Sequence, residues 1–308
     1  MNVFDILFTT DFAFMVFRVT TPILFTALGA MISRRAGIMN ISLEGMMLVG
    51  ALFGVIGSTY SQSVIAGVLC AILASLALSL IFAYFVLKLK SDLILTGIAL
   101  NLMASGGTVF LLSILCGDKG VSTSMNSLVV PSIELPVIKS IPVLGEILSG
   151  HNVLTYVAIL SVFVVYILIN KSPLGLRIRS VGENPNAAES VGISVIKTRF
   201  IALIITGVFC GLGGAFMSMG YVSWFARDMA AGRGYIALAA QNLGNATPVG
   251  TFLASFLFGI ADAMSSSLQV LSVPAEFIQM IPYVTTVIGL VIYSMKRKHD
   301  ALKKSTTL

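Results

Sequence analysis

Long uninterrupted apolar runs constrain this chain more than any other feature. Bounded by charges or Gly/Pro clusters, they fall at about 12–33, 43–60, 63–87, 92–116, 152–170, 199–220, 236–246, 248–268 and 276–295. A helix needs roughly 20 residues to cross about 30 Å of hydrocarbon, and most of these runs are that long. Charge is too sparse for a soluble surface: Asp, Glu, Lys and Arg make up 10% of the residues, against roughly 25% in soluble domains. That excludes a soluble globular enzyme, a disordered chain and a nucleic-acid binder. The expected fold is all-α, a polytopic transmembrane helical bundle of about nine spans (range 8–10) forming one domain over residues 1–308. The run 236–246 stands apart, because its 11 residues reach only about 16 Å as a helix. It reads as a half-helix, a re-entrant segment or one piece of a broken span.

Basic residues orient the bundle. Arg34, Arg35, Lys88, Lys90, Lys171, Arg177, Arg179, Lys197, Arg199 and the tail Lys296, Arg297, Lys298, Lys303 and Lys304 all fall on one side. Only Lys119, Lys139, Arg227 and Arg233 fall on the other, with Arg18 inside a span. Short cytoplasmic loops carry the excess of Lys and Arg, so the N-terminus is expected outside and the C-terminus in the cytoplasm. Asp5 precedes the first apolar run, and no signal peptide is expected. Residues 117–151 then form an extracytoplasmic loop, in which Pro131, Pro136 and Pro142 among apolar neighbours point to a lid that hugs the surface. Residues 171–198 form the longest cytoplasmic loop. Within it Asn184 suits an N-cap, Pro185 the first helical position, Ala187-Ala188-Glu189 the helix, and Gly192 its end.

Catalytic and cofactor signatures are missing. The chain has no G-x-x-x-x-G-K-[ST], no Ser/His/Asp set and no H-E-x-x-H, so it has no site of its own for ATP. Cys70, Cys116 and Cys210 are isolated in apolar runs, and His151 and His299 have no ligand neighbours. Neither a disulfide, a metal nor a cofactor is expected.

Two polar interruptions carry the functional signal. Gly37-Ile-Met-Asn-Ile-Ser-Leu-Glu-Gly45 sets Asn40, Ser42 and Glu44 where a span should begin. An acid at membrane depth must face protein or a water-filled cavity, so this is either a helix break lining a pathway or a cytoplasmic connection with Glu44 at the interface. In the second, Gln241, Asn242 and Asn245 follow the short run and precede Pro248, as pathway groups or as caps of a half-helix. Gly37, Ile41 and Leu43 match Gly232, Ile236 and Leu238 in spacing, which points to an internal repeat with a central site of interrupted helices. Gly50 with Gly54 and Gly207 with Gly211 have the spacing of close helix packing. Asp262 must face the interior, Asp92 should cap its helix, and Trp224 belongs at the interface.

The blocks R-A-G-I-M-N-I-S-L-E-G-M-M-L-V-G-A (35–51), S-P-L-G-L-R-I-R-S-V-G-E-N-P-N-A-A-E-S-V-G-I (172–193), G-R-G-Y-I-A-L-A-A (232–240) and F-G-I-A-D-A (258–263) resemble membrane permeases of ATP-binding-cassette (ABC) importers. The branch is that of ribose and branched-chain amino acid permeases, and the resemblance is strongest to nucleoside (guanosine-type) permeases, the shorter of two permease subunits. It implies a second, longer permease subunit, a cytoplasmic ATPase with two nucleotide-binding domains, an extracytoplasmic substrate-binding lipoprotein and a bacterial cell membrane. It also implies that Gly182, Glu183, Asn184, Pro185, Ala187, Ala188 and Gly192 belong to a coupling helix on the ATPase. The leading expectation is inward translocation of a nucleoside by alternating access, with Asn40, Ser42, Glu44, Gln241 and Asn242 along the path. Ribose or a branched-chain amino acid is the alternative substrate. An ion-coupled secondary carrier using Glu44 or Asp262 is the alternative mechanism.

Overall fold

The computed structural model describes residues 9–134, 136, 144–268 and the positions 284, 285, 287, 291 and 295. Its elements are α1 (Thr10–Arg35), α2 (Leu43–Ser61), α3 (Val64–Ala83, continued by a π-turn to Lys88), α4 (Leu93–Cys116), α5 (Leu144–Leu148), α6 (Val153–Lys171), α7 (Pro173–Glu183), α8 (Pro185–Ser190), α9 (Val195–Met219), α10 (Arg233–Leu243) and α11 (Pro248–Leu268). Seven of these are long and apolar enough to cross a membrane, and they coincide with the expected spans apart from two. The run 236–246 is the 11-residue α10, and nearly all of the run 276–295 lies outside the described residues.

Local chemistry sets the helix starts. Thr9 Oγ1 accepts the Phe12 N–H at 3.2 Å, Asn152 Oδ1 the Leu154 N–H at 2.9 Å, and Asp92 Oδ1 the N–H groups of Ile94 and Leu95, both at 2.9 Å. Asp92 is therefore the cap its position promised.

Burial ranks the helices. α1 runs through the middle, with 78% of its apolar window buried, while α3, α4 and α6 turn most of their surface outward. Side chains such as Leu102, Phe110 and Phe163 are exposed along them, as lipid-facing helices require. The centre is held by close backbone approach. Gly50 on α2 faces Gly211 on α9, where an added Cβ would lie 3.2 Å from the Gly211 Cα. Two small-residue motifs thus meet one another, because dispersion between nearly touching backbones replaces the hydrophobic drive that lipid cannot supply.

The end opposite the basic residues is covered by loop. Ser122 donates its N–H to Phe225 O at 2.9 Å and Val130 its N–H to Met219 O at 2.7 Å. Asn152 Nδ2 donates to Val130 O and Gly220 O, at 2.7 and 2.8 Å. The described parts of 117–151 are thus sewn to the connection between α9 and α10. His151, 1% exposed, anchors this cover: it stacks on Phe14 with ring centroids 3.9 Å apart, and its Nε2 lies 2.9 Å from Ile147 O. Burial holds its pKa below the ordinary 6.5, so the folded state favours neutral imidazole while an unfolded histidine binds a proton first. Stability from this site is complete above pH of about 6.5 and declines as pH falls below it. Proteolytic cleavage within 117–151 is expected to accelerate on acidification in the parent chain, and to lose that pH dependence in His151→Phe.

Candidate functional site

After α1 ends at Arg35, the chain re-enters the bundle without helix over residues 36–42 before α2 begins. Gly37 makes the reversal at φ +80°, a conformation glycine adopts without a Cβ penalty. Asn40 and Ser42, both 0% exposed, close a turn in which Asn40 Oδ1 accepts the Ser42 N–H at 3.0 Å and its hydroxyl at 2.7 Å. Glu44 then meets the start of α10. Its Oε1 accepts the Gly232 N–H at 2.7 Å and its Oε2 the Gly234 N–H at 2.6 Å. Gly234 presses on Glu44 so closely that an added Cβ would lie 2.5 Å from the Glu44 backbone nitrogen.

The depth of this contact follows from α10 itself. At its far end Arg34 donates to Asn242 Oδ1 and Arg35 Nε donates to Ala246 O at 2.6 Å, so that end lies with the basic face. Eleven residues of helix carry the other end about 16 Å inward, half of a hydrocarbon core of roughly 30 Å. Two helix N-termini, those of α2 and α10, therefore meet near mid-depth around one carboxylate, which neutralises both dipole ends. Between α1 and α2 the helix is broken over residues 36–42.

Further polar groups gather beside the junction. Asn101 of α4 accepts the Gly45 N–H at 2.9 Å and donates to Ile41 O and the Tyr235 hydroxyl, both at 3.0 Å. One turn on, Ser105 donates to Asp228 at 2.8 Å, and Asp228 pairs with Arg227 at 3.4 Å. Asp228 and Arg227 have side chains 56% and 63% exposed, next to the middle of a 24-residue span. Arg233 pairs with Asp262 across α10 and α11 at 3.0 Å, an ionic contact without good hydrogen-bond alignment. Asp262 thus faces inward, as its position in an apolar span required.

The five expected pathway residues do not form one cluster. Asn40 and Ser42 bond each other in the core, and Glu44 is engaged by α10. Gln241, 1% exposed, and Asn242 lie at the other end of that helix, where Gln241 Nε2 donates to Asn242 Oδ1 at 3.0 Å. The cause is periodicity: residues nine apart on a helix are separated by about 13 Å, which sequence adjacency hides. Asn101, Ser105 and Asp228 carried no signal that the sequence analysis used, although Asn101 and Ser105 are polar residues that interrupt an apolar span.

The loop 171–198 folds as an elbow of two helices. Asn184 ends α7 and caps α8, its Oδ1 accepting the Ala187 N–H at 3.1 Å; Pro185 opens α8, and Gly192 (φ +82°) follows its end. Gly182 is packed on α1, where a Cβ would lie 2.0 Å from Arg35 O. Ala188 is buried at 3%, so it supports the elbow from within. Glu183, Asn184 and Ala187 are exposed, and so is Val191, at 73%.

Residues 12–293 match the family model described as branched-chain amino acid transport system / permease component. The guanosine ABC transporter permease protein NupQ of Bacillus subtilis is 34% identical over 280 residues, 87% of each chain. The nucleoside ABC transporter permease protein NupC of Lactococcus lactis is 33% identical over 285 residues, 89% of each. A solved structure described as an inward-facing conformation of a putative metal-chelate type ABC transporter superposes with a TM-score of 0.50 at 17% identity, covering 92% of this chain and 83% of the other; at that identity it speaks for the fold alone. Seven apolar spans and a match over nearly the whole length lead to one conclusion: the chain is a multi-pass membrane protein belonging to the branched-chain amino acid transport system / permease component family.

Proposed function

We propose that the chain is one of two permease subunits of an ABC importer that carries a nucleoside inward, worked by a separate cytoplasmic ATPase and fed by an extracytoplasmic binding lipoprotein. The observation that carries the substrate class is the Glu44 clamp. A free helix N-terminus at mid-depth would hold an anion such as an amino acid's α-carboxylate, but here both are filled by a side chain of the protein. A neutral solute is favoured, and the nucleoside relatives supply its kind.

Asp228, Asn101, Ser105 and Tyr235 support a path along the outer edge of α4 and α10. A half-exposed carboxylate at that depth would cost several kcal/mol against lipid, so a second permease subunit covers this edge and the polar groups face water between the two. Asn40, Ser42 and Glu44 hold the wall of that path, and Gln241 and Asn242 stand at its cytoplasmic mouth. An ion-coupled carrier is disfavoured, since Glu44 and Asp262 are both held by partners.

The elbow of α7 and α8 is the ATPase contact, with Glu183, Asn184 and Ala187 around the exposed Val191; Gly182, Pro185, Ala188 and Gly192 shape it. In membrane vesicles holding the complete importer, Ala187→Glu with Val191→Glu is expected to reduce ATP-driven uptake of labelled nucleoside more than tenfold at unchanged membrane abundance. Uptake at the parental rate would overturn the coupling assignment. Uptake of leucine or ribose in place of nucleoside would overturn the substrate, and uptake abolished by an uncoupler at constant ATP would overturn the motor.

A further inference from the structure

Between the first half of α1, the end of α9 and the far end of α11 lies a cavity of about 410 Å³, within the roughly 300–1,000 Å³ of small-molecule sites. Its walls include Val19, Pro22 and Phe216, and Arg233 at the start of α10 also lines it. It therefore reaches from the loop-covered end down to the junction held by Glu44. Two arginines line it, and they differ. Arg233 is balanced by Asp262 at 3.0 Å. Arg18 has no acid or hydrogen-bond acceptor among the described residues; its guanidinium lies over the Tyr221 ring, 4.1 Å from the centroid.

That contact uses the ring quadrupole, and among the described residues none takes any of the five guanidinium N–H donors. Eight residues past the start of α1, Arg18 is about 12 Å along the helix, where an arginine is costly without a purpose. Tyr221 is a fixed platform, its hydroxyl 3.5 Å from the Asn152 nitrogen and 3.4 Å from His151 Nδ1. A largely apolar slot and a planar fork of donors, held flat on Tyr221 and without an acceptor among the described residues, suit a flat, uncharged heterocycle with two adjacent acceptors. The bidentate match to a guanidinium is the O6/N7 edge of a 6-oxopurine.

We propose that this cavity is an entry subsite in which Arg18 reads the O6/N7 edge of a 6-oxopurine nucleoside. The proposal rests on the nucleoside reading above and adds the base and the residue that selects it. Inosine and purine riboside differ only at C6 and the adjoining ring proton, so they isolate the contact. In vesicles holding the complete importer, the parent chain is expected to take up inosine at least fivefold faster than purine riboside. Arg18→Gln should level the two by slowing inosine while leaving purine riboside within twofold, and Arg18→Lys, which keeps the charge but not the fork, should fall between. Equal rates in the parent, an unchanged ratio in Arg18→Gln, or an equal loss of both solutes would overturn the proposal, as would inosine monophosphate displacing inosine. If the parent takes up neither nucleoside, the nucleoside reading itself fails and this site with it; a parent that carries both equally refutes only the role of Arg18.

Discussion

Glu44→Ala is expected to destabilise the chain by about 3–6 kcal/mol, since two hydrogen bonds to a charged acceptor are lost and each contributes roughly 1.5–3 kcal/mol. The loss falls on α10, which at 11 residues is too short to persist alone and takes its position from Glu44 at one end and Arg34 and Arg35 at the other. Denaturant unfolding of the detergent-purified chain, followed by the fluorescence of its single tryptophan, measures it. Glu44→Gln keeps one acceptor oxygen and should lose about half as much. Parental stability in Glu44→Ala would mean that the N-terminus of α10 finds water or another acceptor, and that the clamp is not what holds the half-helix.

The second large effect is expected at Gly211. A Cβ there would lie 2.6 Å from the Ile72 Cα and 2.9 Å from Ala71 O, and backbone atoms inside a span cannot turn aside. Gly211→Val must push α9 away from α3, at about 3 kcal/mol, the upper end of the usual cost of overpacking. Gly106→Ala is the matched control: nothing lies within 4 Å of its added Cβ, and alanine is the better helix former by about 1 kcal/mol. The first variant should lower the unfolding midpoint sharply, and the second should leave it unchanged or raise it. Comparable losses in both would show that backbone flexibility, and not close packing, is what glycine supplies in these helices.

The elements that could be read in advance are those set by local chemistry. Apolar length located the seven spans, Asp92 and Asn184 announced their caps, and the Asn-Pro pair at 184–185 with Gly192 marked the short helix of the long loop. The companion helix α7 was not foreseen, although Ser172 caps it and Pro173 opens it; Ile178 and Val181 bury its apolar side against the bundle. Ala188 was expected on the docking face together with Ala187. The two are adjacent and therefore point about 100° apart on a helix, so one is exposed and the other supports the elbow.

The candidate site divides along the same line. The polar interruptions at 37–45 and 232–246 were visible as residues that a bilayer would not accept without a reason. That Glu44 meets Gly232 and Gly234 was not, because those amides are 188 and 190 residues away and carry no side-chain signal. Sequence alone therefore determined that this chain lies in a membrane as helices, where those helices begin, and which segments break the pattern, all consequences of solvation and of bonds made within a few residues. Only the tertiary structure decided which broken ends face one another, which arginine is balanced by an acid and which lies over a tyrosine ring. Those outcomes depend on backbone groups and distances between helices, and residues far apart along the chain leave no local trace of them.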